Sequence, residues 1–366
     1  MDSNSIIYVP CLRWKQGEYQ AVLNLSAKTK KVIKPLIEIP EVGWDFEEKK
    51  NKKTIDQLLS PFAKRVYEKW GTESCFVDVM KHIQYTDRMS DGVHPEAFVF
   101  KQLRDKKCTA IPVVSLEKDQ QHLNEISKIL TVDQRGICFR LTIEEAAKNS
   151  ITAEMDAILS KLSTKQRHCY IILDLRSPNY IPIDSFVLVL HEIIKRFPYL
   201  TDWRSFAILG TSFPETMAGF NEGIETVPRY EWQLYKKLVA NLKKAKLRVP
   251  NYGDYTISHP NITTMDMRMI KPAATIRYTI EDYWCIVKGT SFRDNRKQYH
   301  DLCKKLVHTK YYDGEGYSFG DEYIKKCADK INGCGNLTTW RNVGTNHHVE
   351  RVVQEIANFY ASGTNL

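Results

Sequence analysis

The sequence predicts an α/β protein: a (β/α)8 barrel, TIM-like in its rhythm, with a C-terminal α+β extension packed on it. Eight short apolar runs recur over about 270 residues, close to the length such a barrel takes. Helical patterns lie between them. Most of the runs are apolar at consecutive positions rather than alternating, as strands covered on both faces are.

The series opens with IIYVPCL (6–12) and runs into RWKQGEYQAVLNL, which holds a single glycine. An open doubly wound sheet, the structural rival, would usually place a glycine-rich phosphate loop there, so the closed barrel is favoured. VIKPLIEI (32–39) supplies the second strand, and the stretch 52–71 follows with apolar residues at helical spacing and a closing Gly71. CFVDV (75–79) is the third strand. The next helix, 94–107, starts with proline near its N-terminus and ends in lysines, as N-terminal proline preference and the helix dipole require. AIPVVSL (110–116), GICFRL (136–141) and CYIILDL (169–175) continue the sheet. Helix 182–197, strand SFAILGT (205–211), helix 228–246 and strand YGDYTI (252–257) complete it.

Residues 1–270 are therefore read as the barrel and 271–366 as the extension. ATIRYTIEDYWCIVKG alternates and is aromatic, so it reads as one or two strands. A helix (RKQYHDLCKKLV), an aromatic-glycine stretch, a loop (NGCGNLTTWRNVGTN) and a final amphipathic helix follow. No Pro- or Ser-rich linker precedes this region. It is expected to pack on the barrel, with one of its helices completing the outer ring.

Composition excludes several classes. The chain has 366 residues, 43% hydrophobic and 27% charged, with a net charge of +9. No apolar run is long enough for a membrane span, and MDSNSIIYVP lacks the features of a secretory signal; a cytoplasmic protein without a membrane role is expected. Nine cysteines include no C-x-x-C pair, so neither a zinc ribbon nor a thioredoxin-like motif is indicated, and structural thiols are expected. Residues 229–248 carry seven Lys or Arg against one Glu. That is either a solvated outer face, the favoured reading, or a non-specific nucleic-acid surface whose affinity would fall steeply with salt.

Chemistry is expected at the C-terminal ends of the strands. Arg13, Lys15, Glu38, Asp78, Ser115, Arg140, Asp174, Arg176, Ser212, Asp254 and His259 stand there. Glu38, Asp78, Arg140 and Asp174 lie within apolar strands, where an unpaired charge is expensive. They are either a site for a divalent metal or phosphate, or an internal salt-bridge layer. Near the end, Trp340, Arg341, His347 and His348 precede the final helix. Adjacent histidines point about 100° apart on a helix and cannot clamp one metal from one face. Thr345 or Asn346 as N-cap, with Arg341 beside it, would make an anion-binding corner; the alternative is a tryptophan plug with ordinary neighbours. There is no Walker A, G-x-G-x-x-G, H-E-x-x-H or nucleophile elbow.

Seven blocks in fixed order from Tyr8 to Val353 resemble the beta-protein family, named for the beta protein of a satellite bacteriophage. They are YVPCLRWKQGEYQAVLNL, KPLIEIPEVGWDF, PRYEWQLYKKL, YGDYTISHP, ATIRYTIEDYWCIVKG, QYHDLCKKLV and GNLTTWRNVGTNHHVERV. Matching positions include Lys15, Gln16, Glu38, Arg229, Glu231, Trp232, Asp254, Arg277, Tyr278, Trp284, Trp340, Arg341, His347 and His348. The resemblance implies a setting among bacteria, phages and mobile elements and a part in excluding competing phages. It carries over no catalytic residues.

The resulting expectation is a protein of phage–host conflict whose barrel mouth binds a phosphate-bearing small molecule or nucleotide. Whether it is an enzyme is left open. If it is, the chemistry is metal-assisted phosphoester hydrolysis, with a divalent metal as cofactor. Glu38, Asp78 and Asp174 would hold the metal or activate water, and His347 or His348 would act as acid or base. Lys15, Arg140, Arg277, Tyr278, Trp340 and Arg341 would bind the ligand, the Trp-Arg-His-His segment forming a lid. The rival is a non-enzymatic sensor or neutraliser that binds a protein partner from the same defence cassette or from a phage.

Overall fold

The computed structural model describes residues 8–117, 119–261 and 271–362. Residues 6 and 7 of the first expected strand and residue 270 at the expected boundary lie outside them. In chain order the elements begin with β1 (Tyr8–Leu12), α1 (Gln16–Leu23), α2 (Ala27–Val32), β2 (Leu36–Glu38), β3 (Trp44–Asp45) and β4 (Lys50–Asn51). They continue with α3 (Ile55–Leu59), α4 (Phe62–Lys69), β5 (Cys75–Asp78), α5 (Pro95–Asp105), β6 (Ala110–Val114) and α6 (Gln120–Asp133). Next come β7 (Cys138–Thr142), α7 (Ile143–Ala146), α8 (Ile151–Lys161), β8 (Tyr170–Arg176), α9 (Ile183–Arg196), β9 (Ser205–Gly210) and β10 (Gly223–Pro228). The last are α10 (Tyr230–Lys244), β11 (Asn251–Asp254), β12 (Ala273–Ile280), β13 (Tyr283–Ser291), α11 (Gln298–Val307), α12 (Phe319–Ala328) and α13 (Leu337–Ser362).

Eight strands close into a barrel in the order β1-β11-β9-β8-β7-β6-β5-β2. The pairs are parallel, with register Tyr8↔Tyr252 where β1 meets β11 and Leu36↔Phe76 where β2 meets β5. The chain is thus a (β/α)8 barrel. The consecutive apolar residues have their reason in the pleat. Val9, Cys11, Leu36, Phe76, Cys138 and Ile172 fill the interior, while Leu12, Ile37, Val77, Phe139 and Leu173 pack outward under the helices. No helix among the described residues is long and apolar enough to cross a membrane.

The expected helix 52–71 is two. Thr54 and Gln57 form a capping box on α3, and the helix is interrupted at Ser60–Pro61 before α4 begins. Proline has no N–H to continue the ladder. The sequence also concealed β10, which leaves the barrel after β9 and pairs antiparallel with β13 in a three-stranded sheet, β10-β13-β12.

The final helix is longer than its pattern suggested. α13 starts at Leu337, so Thr345 and Asn346 sit in mid-helix and are not its N-cap. Neither a proline nor a left-handed residue stands within it to stop the helix earlier. Trp340 and Val343 belong to a core shared with β12, β13, α11 and α12, whereas Val349, Val352, Val353 and Ile356 belong to the barrel's outer core. The Phe359 ring lies 5.9 Å from Trp232 of α10, and the Tyr360 and Tyr235 hydroxyls are 2.8 Å apart. On its other side α13 packs on α1. It therefore occupies the eighth position of the helical ring, and residues 273–336 stand as an insertion between the eighth strand and the eighth helix.

Candidate functional site

Two residues beyond the apolar interior layer, the same inward-facing positions turn polar. Glu38 follows Leu36, Asp78 follows Phe76, Arg140 follows Cys138 and Asp174 follows Ile172. All four side chains are buried and converge on Arg140. Its Nη1 donates to Glu38 Oε1 (2.7 Å) and Asp78 Oδ2 (2.8 Å), its Nε to Asp174 Oδ2 (2.9 Å) and its Nη2 to the Tyr255 hydroxyl (3.0 Å). Burial alone would raise the Glu38 carboxyl; Arg140, then His82, outweigh it and hold it well below the ordinary carboxylate range. Glu38, Asp78 and Asp174 do not fit a divalent ion as they stand, because the guanidinium occupies the point on which their oxygens converge. This layer is a saturated ion-pair network. The expected metal-holding and water-activating roles have no room in it.

Above it opens a cavity of about 950 Å³ lined by the loops that follow β1, β2, β9 and β11 and by the extension. Arg13, Lys15, Lys52, Arg277 and Arg341 line it as cations, and Glu18, Glu41, Asp45 and Glu215 as carboxylates. Three connections at this mouth turn on residues in the left-handed region: Trp14 (φ 50°), Arg176 (φ 58°) and Thr256 (φ 55°). A β-branched residue there costs about 1–3 kcal/mol and persists only when held. Thr256 is held by its N–H donating to Asp254 Oδ1 at 2.9 Å.

The carboxylates in this cavity are largely spoken for. Glu41 pairs with Lys15, and Glu215 accepts from Asn261 Nδ2 at 3.3 Å. Burial pushes the Glu18 carboxyl up despite Arg341, Arg13 and Lys15 nearby. Arg341 donates through Nη1 to the Ile257 carbonyl (2.8 Å) and the Ser258 hydroxyl (3.0 Å). It crosses α1 at Gly17, where a Cβ would stand 2.6 Å from Arg341 Cβ and Cγ. Arg277 is different. Its buried Nε has no hydrogen-bond partner among the described residues. Its guanidinium lies 5.8 Å from the Phe213 ring centroid. Burial, then the neighbouring Arg341, lowers its pKa to about 9, and among the described residues no carboxylate counters them. One wall of the cavity carries Trp44 and Phe46 of the β3–β4 hairpin, 46% and 41% exposed.

Of the residues the sequence singled out, Arg13, Lys15, His259, Arg277 and Arg341 reach this cavity, and Arg140 lies in the layer beneath with the three carboxylates. Tyr278, Trp340, His347 and His348 do not reach it. Trp340 stacks on Tyr299 (4.2 Å, 7°) and donates its indole N–H to the Cys334 carbonyl at 2.8 Å. Tyr278 stacks on His347 at 3.7 Å and donates to Asp321 Oδ1 at 2.6 Å. The paired histidines diverge as neighbours on a helix must. His347 meets Asp321 Oδ2 (2.9 Å) and the Thr279 carbonyl (2.8 Å) in the extension. His348 meets Asp254 Oδ2 of the barrel (3.0 Å) and the Thr279 hydroxyl (2.7 Å). Burial works against charging His347, but the Asp321 carboxylate outweighs it and raises its pKa. With both ring nitrogens engaged and neither ring exposed to solvent, the two histidines fasten α13 in place and are not positioned as acid or base. Nor is the segment a lid.

The sequence reading passed over Glu18, Glu41, Trp44, Phe46 and Tyr255. Tyr255 had a signal, since it lies in phase with the inward positions of the eighth strand. The hairpin aromatics had none, because β3 and β4 are two residues each.

The family model described as Beta protein matches residues 8–354. No curated protein matches the sequence. Among solved structures, triosephosphate isomerase from Bartonella henselae is similar at 11% identity and a TM-score of 0.33, over 68% of this chain and 91% of that one.

Proposed function

The chain belongs to the beta-protein family, a phage-associated group, and from that premise we propose that its barrel mouth binds a phosphate-bearing ligand of the nucleotide class in the course of phage–host conflict. The observation that carries this reading is Arg277. A half-buried guanidinium with a buried, orphaned Nε and no countering carboxylate among the described residues, beside a second half-buried arginine, is costly unless an anion completes it. Phosphate matches the planar fork of arginine, which carboxylate- and phosphate-binding sites favour for its paired donors. Arg13 and Lys15, after the first strand, and Arg341, on α13, extend the cationic wall. The exposed Trp44 and Phe46 rings in the same cavity give a base a face to stack on, an interaction worth about 1–3 kcal/mol. The cavity is large enough for such a ligand, since small-molecule sites run to roughly 300–1,000 Å³.

Hydrolysis is not part of this reading, because the carboxylates it would need are held by Arg140. Binding couples to defence by changing what the mouth presents to other molecules.

Calorimetric titration with nucleoside triphosphates and with pyrophosphate tests it. Arg277→Met should weaken both at least tenfold, the worth of one charge-assisted hydrogen bond, while thermal stability holds or rises. Trp44→Ala should weaken the nucleotide and leave pyrophosphate unchanged. Undiminished binding by Arg277→Met, or no binding by the wild-type chain at millimolar ligand, overturns the proposal.

A further inference from the structure

Four residues of the extension stand apart from the cavity. His300 and Cys303 occupy one face of α11, three residues apart and so a turn from one another. Cys327 is the penultimate residue of α12, and Cys334 lies in the loop that leads into α13. A ring nitrogen of His300 and the sulfurs of Cys327 and Cys334 all lie within 4.8 Å of one another. His300 Nδ1 and Cys327 Sγ are 3.7 Å apart. Cys303, buried on the same helix face as His300, is near enough to Cys327 and Cys334 to feel their charge, but stands outside that trio. The spacing H-x2-C…C-x6-C is not a C-x-x-C motif, which is why nothing in the sequence announced it.

We propose that His300, Cys327 and Cys334, with Cys303 as fourth ligand, form a structural site for a thiophilic divalent cation, zinc by its donor set. Zinc takes sulfur at about 2.3 Å and imidazole nitrogen at about 2.0–2.1 Å in a tetrahedron, which sets ligand atoms roughly 3.5–3.9 Å apart. The 3.7 Å between His300 Nδ1 and Cys327 Sγ falls inside that range. Soft thiolate ligands select zinc over the oxygen-seeking magnesium or calcium. On binding, the thiols release their protons to solvent as thiolates ligate. The His300 Nδ1, whose N–H donates to the Cys327 carbonyl at 2.6 Å, gives up that contact on binding: the ring takes its Nε2–H tautomer and offers the Nδ1 lone pair to the metal.

The location suits a staple. The extension's core is small, and small cores commonly need a metal or disulfide. The loop that carries Cys334 leaves Ile331 70% exposed. The Cys334 carbonyl receives the Trp340 indole N–H, so a clip at Cys334 also fixes the first turns of α13, from which Arg341 reaches the cavity. The rival for these atoms is a Cys327–Cys334 disulfide.

The full chain, purified without chelator and under reducing conditions, should carry about one zinc per chain, released by a mercurial and read with a chromogenic chelator. Chelator should lower Tm and added zinc should restore it. The apo chain titrated with Co²⁺ should develop thiolate-to-cobalt charge-transfer absorption, and Cys334→Ser, at a half-buried position, should reduce or abolish it. Absence of that absorption in reduced wild-type chain overturns the proposal. So does undiminished metal binding by a Cys327→Ser/Cys334→Ser double variant, or a Cys327–Cys334 disulfide that persists in the presence of reductant and zinc. If the double variant fails to fold, the wild-type cobalt spectrum decides alone.

Discussion

Charged residues inside apolar strands were the most legible feature of the sequence at the residue scale, and they show where such legibility stops. Glu38, Asp78, Arg140 and Asp174 had to find partners, since none can be buried alone. Their identities did not reveal that one guanidinium would satisfy all three carboxylates. That depends on the barrel bringing β2, β5, β7 and β8 to one centre. Glu231 shows the converse, a charge that resists ionisation. It lies at the start of α10 with Oε2 accepting from the Ser212 N–H (3.0 Å) and hydroxyl (2.7 Å). Burial, only partly offset by Arg229, pushes its carboxyl up to about 7. Between its ordinary value of 4.5 and 7 the folded chain keeps a proton that the unfolded chain has lost. Stability therefore falls as pH rises through that window, by up to about 3 kcal/mol, and levels off above it. Glu231→Gln keeps an oxygen for Ser212 but cannot ionise. Its urea midpoint should match that of the wild type near pH 5 and exceed it at pH 8; equal midpoints at both values would contradict the shift.

At the scale of elements, the crossing of α1 and α13 links packing to the proposed site. Glycine in a helix interior is usually a cost, and Gly17, the second residue of α1, is explained by what lies on it. The missing Cβ makes room for the Arg341 side chain and the Thr338 carbonyl. Gly344 plays the same part where α13 meets β12, since an added Cβ would stand 2.8 Å from the Arg277 carbonyl oxygen. Close helix approach of this kind leaves no periodic trace, so neither contact is legible in the residue pattern. Gly17→Ala must push Arg341 aside, at a cost of about 1–3 kcal/mol for overpacking. We expect it to lower Tm by several degrees and to weaken pyrophosphate binding, because the displaced arginine no longer reaches the cavity in register. Gly344→Ala should lower Tm at least as much, since it meets backbone that cannot swing away. A Gly17→Ala variant with unchanged binding would separate α1 packing from the site.

For the molecule as a whole, strand periodicity was enough to read the barrel, because eight doubly covered strands write themselves as eight apolar runs. The order in which the chain closes its outer ring was less legible. The sequence breaks into 270 barrel-like residues and a remainder, yet the eighth ring helix comes from the very end, after the 273–336 insertion. Such an arrangement is invisible to local pattern, since α13 carries two different partners on successive turns. Trp340 and Val343 belong to one core, and Val349, Val352, Val353 and Ile356 to the other. His347 and His348 fasten it to Asp321 and Asp254 on either side. A helix common to two cores cannot leave one without uncovering the other, so the two should melt together. Scanning calorimetry of the full chain should give one transition with calorimetric and van't Hoff enthalpies in agreement. A chain ending at residue 336 retains all eight barrel strands but exposes the apolar face that α13 covers, and it should be aggregated or molten rather than cooperatively folded. Two resolved transitions, or a truncated chain that unfolds sharply, would mean that the barrel closes without its last helix.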